Sequence, residues 1–340
     1  MKFDFCIGNP PYQAENSASH RQEPIYDKFM EASFAISDFT EFITPARFLF
    51  DAGQTPKEWN AKMLNDKHVK VPYFEADSDV VFPGLSTPIK GGVAVTIRNA
   101  KKEYGAIGHF TTEPTVSQIL QKVLNYGISP LSEIVYPKST YSFTELLYQE
   151  HPELKGIMTK GNEYIIDAKV FEKMPIIFQD KEFKDSIRVL GRNKSGRICL
   201  YIKKEYIKDI KNLNKYKVII AGVNGVGTLG ETLSEPFVEK PGTCHTQTFM
   251  SIGVFESKEE ANNCLKYIKS KFARLLLHTL KVTQNNARET WRNIPLQDFT
   301  PNSDIDWSKT IKEVDQQLYK KYSLSKEEID FIETHVKEME

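Results

Sequence analysis

Over residues 1–110 the chain alternates between short apolar runs and stretches with apolar residues at helical spacing. The runs are FDFCI at 3–7, EFIT at 41–44, VKVPYF at 69–74 and VAVTIR at 93–98, rich in β-branched and aromatic residues. Between them, Ile25, Phe29, Ala32, Phe34 and Ile36 recur at helical spacing over 24–37, and WNAKML at 59–64 does so again. Tight turns join only antiparallel strands, so strands separated by helices imply an α/β sheet with crossover connections.

The remainder is less regular. A chain of 340 residues accommodates more than one domain, and the predicted division is 1–110, 111–255 and 256–340. The middle part mixes short strands with one helix over 116–124. The last part is helical again: Ser257-Lys-Glu-Glu260 has the spacing of a capping box, opening a helix that runs to about residue 282, and Ser325-Lys-Glu-Glu328 opens a terminal helix over 327–338. With 40% apolar and 26% charged residues the composition is that of an ordinary globular protein. No apolar run reaches the roughly 20 residues of a membrane span, and no secretory signal opens the chain, so a cytoplasmic location is expected. Cys6, Cys199, Cys244 and Cys264 are too scattered for a zinc site, and no metal is expected. The formal net charge is zero, so any affinity for nucleic acid has to come from a local patch. Residues 186–220 are the most basic stretch: Arg188, Arg192, Lys194, Arg197, Lys203 and Lys204, then Lys208, Lys211, Lys215 and Lys217, against only Glu205 and Asp209. With Tyr201, Tyr206 and Tyr216 interleaved, the stretch reads either as a phosphate-contacting surface with stacking groups or as a solvated sheet face.

The first apolar run leads straight into Asn9-Pro10-Pro11-Tyr12. An exocyclic amine of a nucleobase is a poor nucleophile because its lone pair is delocalised into the ring. Alkylating it requires acceptors that hold its two hydrogens while charge builds on nitrogen. The Asn9 side-chain oxygen and the Pro10 carbonyl can each take one hydrogen, and the second proline stiffens the turn. Tyr12 then supplies a ring on which an extruded base can stack.

On these residues the chain resembles the adenine-N6 DNA methyltransferases, whose motif IV is similar to IGNPPY. PIYDKFMEASF, FITPARFLF and VVFPG…IKGGVAVTIRN come next in that family's order. HTQTFMSIGVF, YIKSKFARLLL, VTQNNARETW, PLQDF and LYKKYSLSKEEIDFIE resemble the TaqI-like C-terminal specificity region of type II restriction–modification methylases. The resemblance implies a fold made of a partial Rossmann-like methyltransferase sheet followed by an α+β DNA-specificity domain. It also implies S-adenosylmethionine as methyl donor and double-stranded DNA as substrate. Asn9 and Pro10 would hold the target amine, Tyr12 would stack on the base, and Phe82 would pack on its other side; otherwise Phe82 is a core aromatic beside Pro83.

That family places its cofactor site before motif IV, as a strand, a glycine-rich turn and a helix, with an acid ending the next strand. Only eight residues precede Asn9. The glycines of VIIAGVNGVGTLG at 218–230 (Gly222, Gly225, Gly227) lack a following helix, since Pro236 and Pro241 interrupt, so they read as a loop of the recognition region. The expectation is therefore half an active site: the strand from Phe3 to Ile7 becomes an exposed apolar edge, suited to a companion subunit that carries the cofactor half or to self-association. The alternative is a non-catalytic DNA-binding module or an inactive remnant. Asp167 with Glu182-Phe183-Lys184 fits a nuclease pattern only loosely, and His245 reads as structural or DNA-contacting.

Overall fold

The four apolar runs at the start of the chain become the four strands of one mixed sheet. They are β1 (Phe3–Gly8), β2 (Ser37–Pro45), β3 (Val69–Glu75) and β4 (Val93–Asn99), in the order β1-β2-β4-β3. The computed structural model describes residues 3–14, 23–108, 110, 111, 113–127, 129–281 and 283–339, and it divides into two compact units, Met1–Ser117 and Gln118–Glu340. β1 runs parallel to β2, with Gly8 opposite Phe42, so the chain between them crosses over through α1 (Tyr26–Ile36). β4 is antiparallel to both of its neighbours. α2 (Lys57–Asn65) and the short α3 (Ser78–Val81) complete the regular structure around this sheet.

Side chains alternate across the sheet. Along β2, Thr40, Phe42 and Thr44 are buried while Phe39, Glu41 and Ile43 are only half-buried. Phe42, Ala94 and Val69 join Tyr26 and Met30 of α1 and Trp59, Met63 and Leu64 of α2 in one core. The opposite face is thinly covered at β1, where Phe3, Phe5 and Ile7 are 49%, 68% and 67% exposed. β1 is a sheet edge with β2 as its one neighbour among the described residues, the apolar edge expected from the sequence.

α4 (Pro114–Asn125) spans the boundary between the units. The second unit holds two further sheets. β6 (Ser186–Asn193) and β7 (Gly196–Lys203) form a hairpin, and β10 (Thr243–His245) adds in parallel to β6. β5 (Val135–Tyr136), β11 (Phe249–Phe255), β8 (Tyr216–Ala221) and β9 (Phe237–Glu239) form the other sheet, antiparallel throughout. Short helices α5 (Glu145–Glu150) and α6 (Val170–Lys173) precede the hairpin, and their Leu147 and Val170 pack with Ile187 and Ile202.

The sequence boundary at 255/256 falls inside this unit, where β11 leads directly into α7 (Lys258–Lys269). The single helix expected from residue 257 onward is two helices. Buried Ser270 ends α7 and caps α8 (Lys271–His278), its hydroxyl accepting from the Ala273 amide. Apolar spacing continues through the junction, so periodicity does not reveal the break. Residue 282, the expected end of that helix, lies outside the described residues. α9 (Ile311–Lys321) is an addition to the elements expected from the sequence; Thr310 and Glu313 cap it reciprocally. α10 (Lys326–His335) begins at the Ser325 capping box. Among the described residues, no helix is long and apolar enough to cross a membrane.

Candidate active site

Because β1 and β2 are parallel, the loops at their carboxyl ends lie at the same end of the sheet. β1 ends into Asn9-Pro10-Pro11-Tyr12, and β2 ends at Pro45 and turns into a 3₁₀ segment carrying Arg47. β4 starts opposite the ends of β2 and β3, with Val93 across from Pro45 and Glu75, which brings the loop before it to that end as well. Crevices outside the carboxyl ends of strands are where open α/β sheets take ligands.

A cavity of about 370 Å³ opens here, lined by Tyr12, Gln13, Pro24, Tyr26, Pro45, Arg47, Gly53, Gln54, Thr87, Pro88, Ile89 and Lys90. Its volume falls in the range of small-molecule sites. Tyr12 is pinned by the chain folding back on itself: its carbonyl accepts from the Ile25 amide at 3.1 Å, and Gln13 bridges Pro24. The Ala46 amide donates to the Gly92 carbonyl at 3.0 Å and ties the Arg47 segment to the opposite wall. Gly92 has φ +80°, and a Cβ there would lie 2.4 Å from the Glu75 carbonyl oxygen, so this close crossing requires glycine. Tyr26, Phe48 and Trp59 pack behind the site with ring centroids 5.2–6.4 Å apart, giving Tyr26 a fixed wall.

Within the turn, Pro10 is buried, Asn9 and Pro11 are exposed, and Tyr12 is half-buried. The Pro10 carbonyl receives no backbone hydrogen bond among the described residues, which leaves it free to accept. The Tyr12 hydroxyl is sealed from solvent without a well-aligned partner among those residues. Burial dominates its ionisation and pushes the phenol up to about 12, an effect that the nearby Asn9 side chain only tempers. Tyr26 is likewise held at about 12, again mainly by burial. Both rings are therefore neutral phenols at physiological pH. The Tyr12 ring lines the cavity, while the exposed Asn9 side chain and the Pro10 carbonyl just before it in the turn can accept N–H donors on the edge of a planar group.

Phe82 is half-buried at the C-terminal end of α3 and does not line the cavity; its own loop returns to form the wall at Thr87 to Lys90. Arg47 and Lys90 do not stand out as site residues in the sequence. Both sit in FITPARFLF and IKGG, so position along the chain is the one signal that points to them.

The first six cations of the basic stretch, Arg188 to Lys204, are not equivalent. Arg188 pairs with Glu239 at 3.2 Å, Arg197 with Glu235 at 3.0 Å, and Lys203 with Glu150 at 2.8 Å. Arg197 also lies over the Phe237 ring. Arg192 and Lys194 are exposed at the tip of the β6–β7 hairpin, and Lys204 is exposed after β7. Counting charges along 186–220 overstates the patch, because the neutralising carboxylates come from 150, 235 and 239. Lys217 is fully buried, donating to the Leu213 and Thr243 carbonyls at 3.2 and 2.7 Å. His245 is buried too, edge-on to Tyr141 with Nε2 3.2 Å from the Ser251 hydroxyl, which makes it a core residue out of reach of DNA. Asp167 is ion-paired to Lys173.

The residues present do not fit S-adenosylmethionine by themselves. In the first unit, among the described residues, no helix follows a glycine-rich turn at a strand end. At 222–230 the loop after β8 leads to β9, not to a helix, and the Val226 and Gly227 amides are already taken by the Glu231 carboxylate at 2.9 and 3.1 Å.

Residues 1–82 match the Eco57I restriction-modification methylase family. No curated protein matches the chain. Among solved structures, the chain is similar to the type IIG restriction endonuclease BpuSI, at 10% identity over 86% of this chain and 44% of that one, with a TM-score of 0.32. It is also similar to the type IIL restriction-modification enzyme MmeI in complex with DNA, at 10% identity over 98% of this chain and 56% of that one, with a TM-score of 0.43. The chain thus spans about half the length of these two structures.

Proposed function

We propose that the first unit is the target-base half of a DNA adenine-N6 methyltransferase of a restriction–modification system, and that the second unit recognises the DNA. The observation that carries this is a cavity at the carboxyl end of β1 lined by Tyr12, whose turn also holds the exposed Asn9 side chain and a Pro10 carbonyl with no backbone partner among the described residues. The match of residues 1–82 to a restriction–modification methylase family supports it, as does the strand order with β1 at the edge, which suits a partial Rossmann-like sheet.

In this reading an adenine taken out of the duplex enters against Tyr12. The Asn9 side-chain oxygen and the Pro10 carbonyl accept its two amino hydrogens, localising the nitrogen lone pair for attack. The rigid prolines, Pro10 buried among them, hold both acceptors without reorganisation. Phe82 reaches the base only if its loop closes on binding. S-adenosylmethionine would supply the methyl group, held by a companion subunit or another segment of the enzyme that pairs with the free edge of β1. Arg192, Lys194 and Lys204 remain candidate phosphate contacts, while Arg188, Arg197 and Lys203 would have to leave their carboxylates to serve.

The test is transfer of labelled methyl groups from S-adenosylmethionine to DNA, by the chain alone and with the product of the neighbouring gene, and then digestion to nucleosides. Label in N6-methyldeoxyadenosine, appearing only in the mixture, is expected. Full activity of the chain by itself would remove the need for a second half. Absence of methylation despite DNA binding would favour a recognition module without catalysis.

A further inference from the structure

The cavity that holds Tyr12 carries two cations that amine activation does not use. Arg47 and Lys90 line it, and among the described residues no carboxylate does. Among the described residues neither has an ion-pair partner, whereas Lys57 and Lys62 close by are paired with Asp51 and Glu31. The phenols of Tyr12 and Tyr26 stay protonated near neutral pH, so no described residue lining the cavity neutralises the two positive charges.

The backbone is shaped around the Arg47 stem. Gly91 has φ +85°, and a Cβ on it would lie 2.6 Å from Arg47 Cγ; Gly53 has φ +90°, and its Cβ would lie 3.2 Å from Arg47 Cβ. Two left-handed glycines from separate loops therefore flank one arginine and restrict where its guanidinium can go. An arginine placed only for solubility needs no such channel. Its planar fork, held half-buried in the lining of a cavity with no described carboxylate, matches the oxygens of a phosphate.

We propose that Arg47, aided by Lys90, clamps the phosphate attached to the nucleotide whose base occupies the Tyr12 cavity. This rests on the reading of that cavity as a base site. A base cannot leave the duplex without its own sugar and phosphates, so a charge fixed in the pocket lining registers the extruded nucleotide against Asn9 and Pro10. Arg47 is thus a positioning residue, and its contribution is to orientation and affinity.

The experiment is titration of the full chain with deoxyadenosine, deoxyadenosine 5′-monophosphate and inorganic phosphate, read by calorimetry or NMR shifts. The monophosphate is expected to bind about tenfold more tightly than the nucleoside, the scale of a charge-assisted contact at a partly exposed site. Arg47→Gln should erase that difference while leaving nucleoside binding intact. Arg47→Lys should retain part of it, and Lys90→Gln should reduce it. Tyr12→Ala should weaken both adenine ligands while leaving the difference between them. Equal affinity for nucleoside and monophosphate, with both lost in Tyr12→Ala, overturns the clamp and leaves the base site standing. Phosphate binding with no preference for either adenine ligand overturns the nucleotide assignment. Failure of every ligand to bind defeats the clamp and the base-site reading together.

Discussion

Lysine at positions 5 and 7 tests whether the face of β1 is a surface waiting for the rest of an enzyme. Phe5 and Ile7 are 68% and 67% exposed, and Phe3 is 49% exposed. Completely burying such a side chain is worth about 2 kcal/mol. The uncovered fractions at 5 and 7 leave about 2.7 kcal/mol available to whatever covers them, roughly a hundredfold in an association constant. In the isolated chain the same substitutions remove little: the Phe5–Phe39 edge contact, with centroids 5.6 Å apart, is the one ring contact of Phe5 among the described residues. Phe5→Lys with Ile7→Lys should therefore unfold within about 1 kcal/mol of the parent by urea titration. Sedimentation equilibrium of the chain, alone and mixed with the neighbouring gene product, should show association weakened by about two orders of magnitude. Lysine on an edge strand also opposes strand addition directly. Unchanged association would refute the idea that β1 is a joining edge, and a loss of several kcal/mol from the isolated chain would show that the face is already covered.

Two other expected outcomes concern buried charges in the second unit. Lys281, whose side chain is 2% exposed, is ion-paired with Glu231, and that carboxylate also holds the Val226 and Gly227 amides. Lys281→Met should cost about 1–3 kcal/mol in chemical denaturation, because it removes the charged partner of a partly buried carboxylate and leaves the Asn224 carbonyl that Lys281 also bonds without it; a neutral result would mean that water replaces the ammonium. His245 is pushed down to about 4 by burial. The unfolded chain takes up this proton near 6.5 and the folded chain only near 4, so stability falls as pH drops through that window, by up to about 3 kcal/mol. His245→Gln should flatten that part of the stability–pH curve, and an unchanged acid limb would assign it to carboxylates.

The first unit is largely legible in the sequence because its elements are set by local pattern. The runs at 3–7, 41–44, 69–74 and 93–98 are strands with ends shifted by a few residues, and the helical spacing over 24–37 is α1. Asn9 to Tyr12 stand out because two prolines after an asparagine at a strand end have few structural uses. The hidden features depend on distant partners. Arg47 and Lys90 join the site through sheet order, which brings the ends of β2 and β4 beside that of β1. The basic stretch looks free in the sequence because Glu150, Glu235 and Glu239 lie outside it. Ser270 splits a helix without interrupting its apolar spacing, since a cap acts through one hydroxyl.

The most direct measurement of the base-site assignment is methyl transfer by Asn9→Ala in the reconstituted system, with DNA affinity measured on the same protein. Asn9 is exposed at the end of β1 and lies outside the core, so folding and DNA binding should be unchanged. Loss of one preorganised transition-state acceptor should lower the rate about 10²–10³-fold. Methylation at the parental rate would contradict amine activation by this turn.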